Sequence, residues 1–163
     1  MNKLYLIIGL FLFSAGLPAQ KLLPNDEAPE ISLPSPDGQI ISLSSLKGKL
    51  VLIDFWASWC GPCVKEQPEL KKLYEKFSAS GDFEILGVSL DRKKENWENA
   101  IQKFEINWPQ ISDLKYWMSP VTEIYDINDL PYNVLVDKAG KMIAFDLHAQ
   151  ELEDFIADYL KMH

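Results

Sequence analysis

The stretch Phe55-Trp56-Ala57-Ser58-Trp59-Cys60-Gly61-Pro62-Cys63 holds both cysteines of the chain, separated by a Gly-Pro pair. An apolar run, Leu50-Val51-Leu52-Ile53, leads into it, and a helix-forming stretch, Val64 to Phe77, follows. This pattern places two thiols at a strand-to-helix junction. The first backbone N–H groups of a helix lack intrahelical partners and the dipole is positive there, so a cysteine at that end ionises more easily. Pro62 suits the first helical turn, where a missing N–H costs nothing. Thiols so placed are set up to exchange with a disulfide. A purely structural bridge is the weaker reading, because closing so short a loop removes only about 2 kcal/mol from the unfolded chain. A chain of 163 residues also buries a core without staples. Half of a zinc site would need two more ligands, and the only histidines are His148 and His163, near the C-terminus.

The length suggests one folded domain. Before it, Asn2-Lys3 forms a short basic start, Leu4 to Phe13 is almost unbroken apolar, and Ser14 to Ala19 is small and turn-prone. That pattern predicts a secretory signal peptide over residues 1–19, cut after Ala19, with Gly16 as the second choice, and a mature domain over 20–163. The apolar run is short for a membrane span, and no cysteine lies near it to carry a lipid anchor. Outside the cytosol thiols tend to oxidise, so a pair kept reduced there needs a redox partner. The net charge is −8, with Arg92 the single arginine. Nucleic-acid binding would want the opposite balance. An acidic exported protein is instead expected to be soluble, monomeric and inclined to basic partners.

Along the chain, the proline-rich residues 21–36 read as an extended entry, with a short strand at Glu30 to Leu33. Asp37-Gly38 marks a turn into a second hairpin strand, Gln39 to Leu43. Leu50 to Phe55 is apolar on both faces, as expected for the buried middle of an α/β sheet. Pro68 should kink the helix that follows. Strands are predicted at Phe83 to Leu90, Tyr132 to Val136 and Lys141 to Leu147, and helices within Lys93 to Glu105, at Ser119 to Tyr125 and at Glu151 to Leu160. Trp108 to Ile111 reads as short and extended. The β-α-β start and β-β-α end make an α/β sandwich with a central mixed sheet flanked by helices.

Asp54-Phe55-Trp56-Ala57 followed by Trp59-Cys60-Gly61-Pro62-Cys63, with Pro68 beyond, resembles thioredoxin. The remainder is similar to an exported branch of that family, the TlpA/ResA-like thiol–disulfide oxidoreductases. Three features carry this: the hairpin Pro36 to Leu43, the run Lys65-Glu66-Gln67-Pro68, and a central α/β insertion at about Arg92 to Ile111. The resemblance spans about Glu27 to Leu160. It implies a thioredoxin-like fold with an N-terminal β-hairpin and dithiol–disulfide exchange without a bound cofactor or metal. It also implies disulfide-containing exported substrates, among which apocytochrome c is one candidate, and a membrane electron donor. The segment Asp129-Leu130-Pro131-Tyr132-Asn133 matches the family's cis-proline loop, with Leu130 and Tyr132 expected to make its lip bulkier. A cis Pro131 would present the Leu130 backbone to an extended substrate.

Access assigns Cys60, at the helix tip, as the exposed nucleophile and Cys63, one turn in, as the covered resolving thiol. Asp54 is an acid inside an apolar strand, so burial should raise its pKa and suit it to accept the Cys63 proton; thioredoxin's acid at the same position agrees. Glu66 is either a solvated helix charge or a second proton-handling group. Trp59 is either a substrate contact or a packing residue, while Trp56, Trp97, Trp108 and Trp117 are assigned to packing. Lys93-Lys94 reads as a solvated helix start. Gly61 and Pro62 complete the exposed lip. Two competing activities remain. A peroxiredoxin-like peroxidase needs a threonine or serine three residues before its cysteine, where this chain has Ala57. A copper-binding module usually needs CxxxC and a distal histidine, for which His148 is a weak candidate.

Overall fold

A computed structural model describes residues 22–162. The expected signal peptide, residues 1–19, and both cleavage positions lie outside the described residues. The chain begins with a hairpin of β1 (Ser32–Pro34) and β2 (Ile40–Ser42). β1 starts two residues later than the sequence pattern suggested. Ile31 is drawn into the core instead, where its carbonyl accepts the Leu43 N–H. Pro34, which cannot donate to a ladder, closes β1 at an edge, where this costs little.

Five strands form the main sheet: β3 (Leu50–Trp56), β4 (Phe83–Ser89), β5 (Gln110–Ile111), β6 (Tyr132–Val136) and β7 (Met142–Phe145). Their order is β5-β4-β3-β6-β7. β3, β4 and β5 run parallel, while β6 is antiparallel to both β3 and β7. The carboxyl ends of β3, β4, β5 and β7 therefore share one edge of the sheet with the amino end of β6. This is the mixed sheet with a preceding hairpin that the resemblance implied. The α/β insertion is also present, as α2 (Lys94–Lys103) and β5.

β3 and β4 are buried at every position, so both faces of each must be covered. Helix α1 (Gly61–Phe77) follows β3 after a short turn and continues through Pro68 as one helix. It buries Cys63, Gln67, Leu70 and Leu73, a stripe at helical spacing. α3 (Pro120–Ile124) and α4 (Ala149–Met162) complete the set, and α4 buries Leu152 and Ile156. On the other face of β3 the Phe55 ring meets Tyr125 at 5.1 Å and Tyr132 at 6.1 Å.

Gly87 faces Asp54 across β3 and β4 and pairs with Gln110 on β5. A Cβ at Gly87 would stand 2.1–2.5 Å from the Gln110 side chain. Gln110 is buried, and its Oε1 accepts the Trp56 Nε1–H at 2.9 Å. Gly87→Ala should therefore displace Gln110 and orphan the Trp56 indole, lowering stability by about 1–3 kcal/mol. Urea unfolding followed by tryptophan fluorescence checks this. An unchanged midpoint would mean that Gln110 swings aside freely.

Candidate active site

Cys60 ends the turn after β3 and caps α1, with extended backbone angles and its Sγ accepting the Cys63 N–H at 3.2 Å. The sulfur therefore receives a donor from the helix's first turn, the interaction that favours a thiolate in the reduced state. Cys60 and Cys63 are joined as a disulfide. The expectation of an exposed Cys60 needs correction. Only 5% of Cys60 is accessible, against 1% of Cys63, so access still ranks the two sulfurs in the expected order but by a small margin. The exposed tip is Trp59, at 46%.

The reason lies in Asp91, just past β4. Its carboxylate accepts the Ser58 N–H at 3.0 Å, the Ser58 hydroxyl at 2.6 Å and the Ser89 hydroxyl at 2.8 Å. This buried clamp pulls the turn before Cys60 down onto the sheet and leaves Trp59 outside. In sequence Asp91 is only the residue that follows the predicted strand Phe83 to Leu90.

Asp54 lies on the face of β3 that α1 covers and is 4% exposed. Its carboxyl is pushed up to about 7, chiefly by burial and then by the charge of Glu66. A hydrogen bond from Gln67 and the charge of His148 pull it back in part. Asp54 Oδ2 is buried with no hydrogen-bond partner among the described residues. Gln67 is one helical turn beyond Cys63 on the same buried stripe, so α1 carries Cys63 over the same face as the carboxyl.

Glu66 is not a solvated helix charge. Its Oε1 lies 2.8 Å from Nδ1 of His148, whose Nε2 lies 3.0 Å from Asp146 Oδ1. Burial pulls the His148 pKa down, but the bonds to Glu66 and Asp146 outweigh it and raise it above the usual value. Ionised carboxylates only accept, so bonds at both nitrogens require the imidazolium. Both ring nitrogens are thus engaged, which leaves His148 no free lone pair for the copper-ligand role. Asn133, paired with Asp54 across the sheet, fixes this turn: its Nδ2 donates to the Leu147 carbonyl at 2.7 Å and its Oδ1 accepts the Leu147 N–H at 3.2 Å. Sequence reading missed the His148–Glu66 pair because 82 residues separate them. A histidine two residues after an acid at a strand's end was the only local signal.

The Leu130–Pro131 bond is cis. β6 begins at Tyr132 opposite Phe55, so Pro131 stands at the end of β3 from which the Cys60 turn leaves. Of the two residues expected to make the lip bulkier, Tyr132 stacks its ring on Phe55 and Leu130 packs against the core, and both stay partly exposed. Gly61 and Pro62 are exposed. Trp59 does not pack alone. Its ring lies 5.0 Å from Tyr116 and 6.4 Å from Trp117, which packs against the core as expected and also joins this cluster.

A family model described as the AhpC/TSA family matches residues 24–145. A thiol–disulfide oxidoreductase ResA of Bacillus subtilis is 31% identical over 88% of this chain and 77% of its own length. The thioredoxin domain of a thiol–disulfide oxidoreductase from Bacteroides vulgatus superposes with a TM-score of 0.79 at 37% identity, covering 85% of this chain and 98% of that one. The C-terminal domain of a putative thiol–disulfide oxidoreductase from Bacteroides thetaiotaomicron gives 0.83 at 33%, over 88% and 100%. With a Cys-Gly-Pro-Cys disulfide capping the helix after the central strand, the chain belongs to the AhpC/TSA family and, within it, to the ResA-like thiol–disulfide oxidoreductases.

Proposed function

We propose that this oxidoreductase works as an exported disulfide reductase. The Cys60 thiolate attacks a substrate disulfide, whose S–S bond breaks to release one thiolate and leave a mixed disulfide on Cys60. Asp54 takes the proton of Cys63. The Cys63 thiolate then attacks Cys60 Sγ and expels the second substrate thiolate. Two electrons pass to the substrate, and the enzyme is left with the Cys60–Cys63 disulfide. The observation that carries this reading is the Asp54 carboxyl, buried beneath the helix that bears Cys63, without a hydrogen-bond partner at Oδ2 among the described residues and pushed up to about 7 by that burial. A base needs a pKa close to the working pH.

Asp54 and Glu66 also support the reducing direction, since negative charge nearby disfavours a thiolate and so favours the disulfide form. The His148 imidazolium offsets part of that charge and positions Glu66. Ala57, three residues before Cys60, offers no hydroxyl to a peroxide, which supports dithiol exchange over peroxidase chemistry. The apolar run behind Lys3 supports export, with the periplasm as the compartment. Re-reduction then falls to a membrane donor. Disulfides of exported proteins, apocytochrome c among them, are the substrates, and an extended one would lie along the Leu130 backbone beside cis Pro131.

Equilibration against glutathione or thioredoxin gives the potential of the Cys60–Cys63 pair. A reductase should lie toward thioredoxin, about −270 mV, and a value near DsbA's ~−120 mV would make the protein an oxidant.

Cys63→Ser should trap substrates as mixed disulfides through Cys60, while Cys60→Ser traps none. Adducts seen only with Cys60→Ser would exchange the two roles.

Asp54→Asn should slow insulin-disulfide reduction by about 100-fold yet stabilise the fold. Between the usual value of 3.8 and about 7 the folded protein holds a proton that the unfolded chain has lost, so wild-type stability falls as pH rises through that window. The Asn variant removes this loss and should gain on the order of 2–4 kcal/mol at pH 8 and nothing below pH 4. His148→Gln removes a charge that lowers the Asp54 pKa, so its pH–rate midpoint should move upward by roughly 0.5–1 unit. Equal pH profiles for all three proteins would return these residues to packing roles.

A further inference from the structure

The segment 112–119 joins β5 to α3 and holds two non-glycine residues in the left-handed region, Leu114 at φ 58° and Tyr116 at φ 60°. Such backbone persists only where its surroundings fix it. Here Ser112 Oγ accepts the Leu114 N–H at 3.1 Å and donates to the Ser89 carbonyl at 2.8 Å. Asp113 accepts the Lys115 N–H at 3.1 Å and the Ser119 hydroxyl at 2.9 Å. The result is a Tyr116 ring laid against Trp59, the residue before Cys60. The Arg92 guanidinium sits over the same ring, 4.6 Å from its centroid.

Beside these rings opens a cleft of about 400 Å³, lined by Trp59, Asp91, Arg92, Lys93, Asn96 and Tyr116. Its charge is positive. The Asp91 carboxylate is buried and turned toward Ser58 and Ser89. Arg92 and Lys93 are exposed and make no ion pair among the described residues. In a chain with a net charge of −8, the single arginine is held next to the redox turn without an ion pair among the described residues.

We propose that this cleft is a docking subsite for an acidic segment of the substrate protein. An aspartate or glutamate within a few residues of the target cysteine pairs with Arg92 and Lys93, and an apolar neighbour lies on Trp59 and Tyr116. The inference rests on Cys60 being the attacking thiol, because only that sulfur adjoins Trp59. Charge complementarity defines the occupant. It opposes the choice of basic partners that overall charge suggested, since the field beside the attacked bond is set by the nearest charges and more distant ones are screened by salt. A peptide flanking the disulfide fits better than a free anion, because the aromatic wall offers contact area that a small anion would leave unused.

The test measures how fast the reduced protein cleaves three peptides, each joined through its one cysteine to thionitrobenzoate. The cysteine is flanked by Glu and Phe, by Gln and Phe, or by Lys and Phe. The expected order is acidic, neutral, basic, with about a tenfold advantage of the first over the second that fades at high salt. The double variant Arg92→Glu/Lys93→Glu should invert the order, and Tyr116→Ala should slow all three peptides. Hydroxyethyl disulfide, small and uncharged, should be reduced equally by the wild-type protein, the Arg92→Glu/Lys93→Glu variant and Tyr116→Ala. Equal rates for the three peptides in the wild-type protein, while hydroxyethyl disulfide is still reduced, would overturn the docking subsite and leave the reductase reading standing. Thionitrobenzoate release by Cys60→Ser would instead overturn the nucleophile assignment. An equal advantage for glutathione disulfide would overturn the protein segment as the occupant in favour of a small anionic disulfide.

Discussion

β3 is covered on both faces along its whole length, and this leaves the charge of Asp54 without water. The chemistry proposed for this protein depends on that constraint. A carboxylate in such a place must be neutralised, be given donors, or hold its proton into the neutral range. Asp91, only 1% exposed, has two hydroxyls and a backbone N–H directed at its oxygens. Asp54 has a single opposing hydrogen bond, from Gln67, and the like charge of Glu66 nearby. The two buried aspartates therefore serve different ends. One holds a turn in place, and the other holds a proton that can leave near neutral pH.

The environment of Asp54 is maintained by the strands beside it. Gly87, on one side, leaves room for the buried Gln110 side chain that anchors Trp56. Asn133, on the other side, fixes the turn carrying His148. That turn includes Asp146 and Ala149 in left-handed backbone, at φ 53° and 49°. The contacts that hold His148 therefore begin at the strand next to the carboxyl it acts on. A cation on a loop free to wander would be screened and contribute little. Pinned at 2.8 Å from Glu66, it offsets a specific charge.

The parts legible in the sequence are those whose signals are local. The apolar run into Cys-Gly-Pro-Cys, the helix stripe after it and the acid within β3 are all contained between Leu50 and Phe77. The strands of the main sheet and α2 were legible to within a few residues for the same reason. What was missed is held together across long separations. Ser58 meets Asp91 over 33 residues and Glu66 meets His148 over 82. No periodicity encodes such pairs, and each partner taken alone reads as an ordinary polar residue at the end of an element. The exposure of Cys60 was misjudged because the clamp that lowers its turn comes from Asp91, in a different β-α unit. Trp117 packs as expected, but its contact with Trp59 was not legible, since nothing local shows that left-handed residues at 114 and 116 carry that segment to Trp59.

The redox turn thus lies between two regions of opposite sign. On one side are Asp54, beneath α1, and Glu66 on α1 itself, with His148 holding the balance; beside Trp59 are Arg92 and Lys93. These roles conflict if they share a place. A cation close to the sulfur stabilises thiolate and makes the pair more oxidising, whereas a reductase needs the reverse. Cations for recognition therefore belong beyond an aromatic spacer, and Trp59 with Tyr116 supplies one. There they remain close enough to attract an approaching acid, which is a rate effect that salt weakens. Asp54, on the buried side, is shielded from that salt by the sheet and α1. On the proposed reading, burial lets one short turn combine an acidic interior that favours electron donation with a basic rim that selects the recipient.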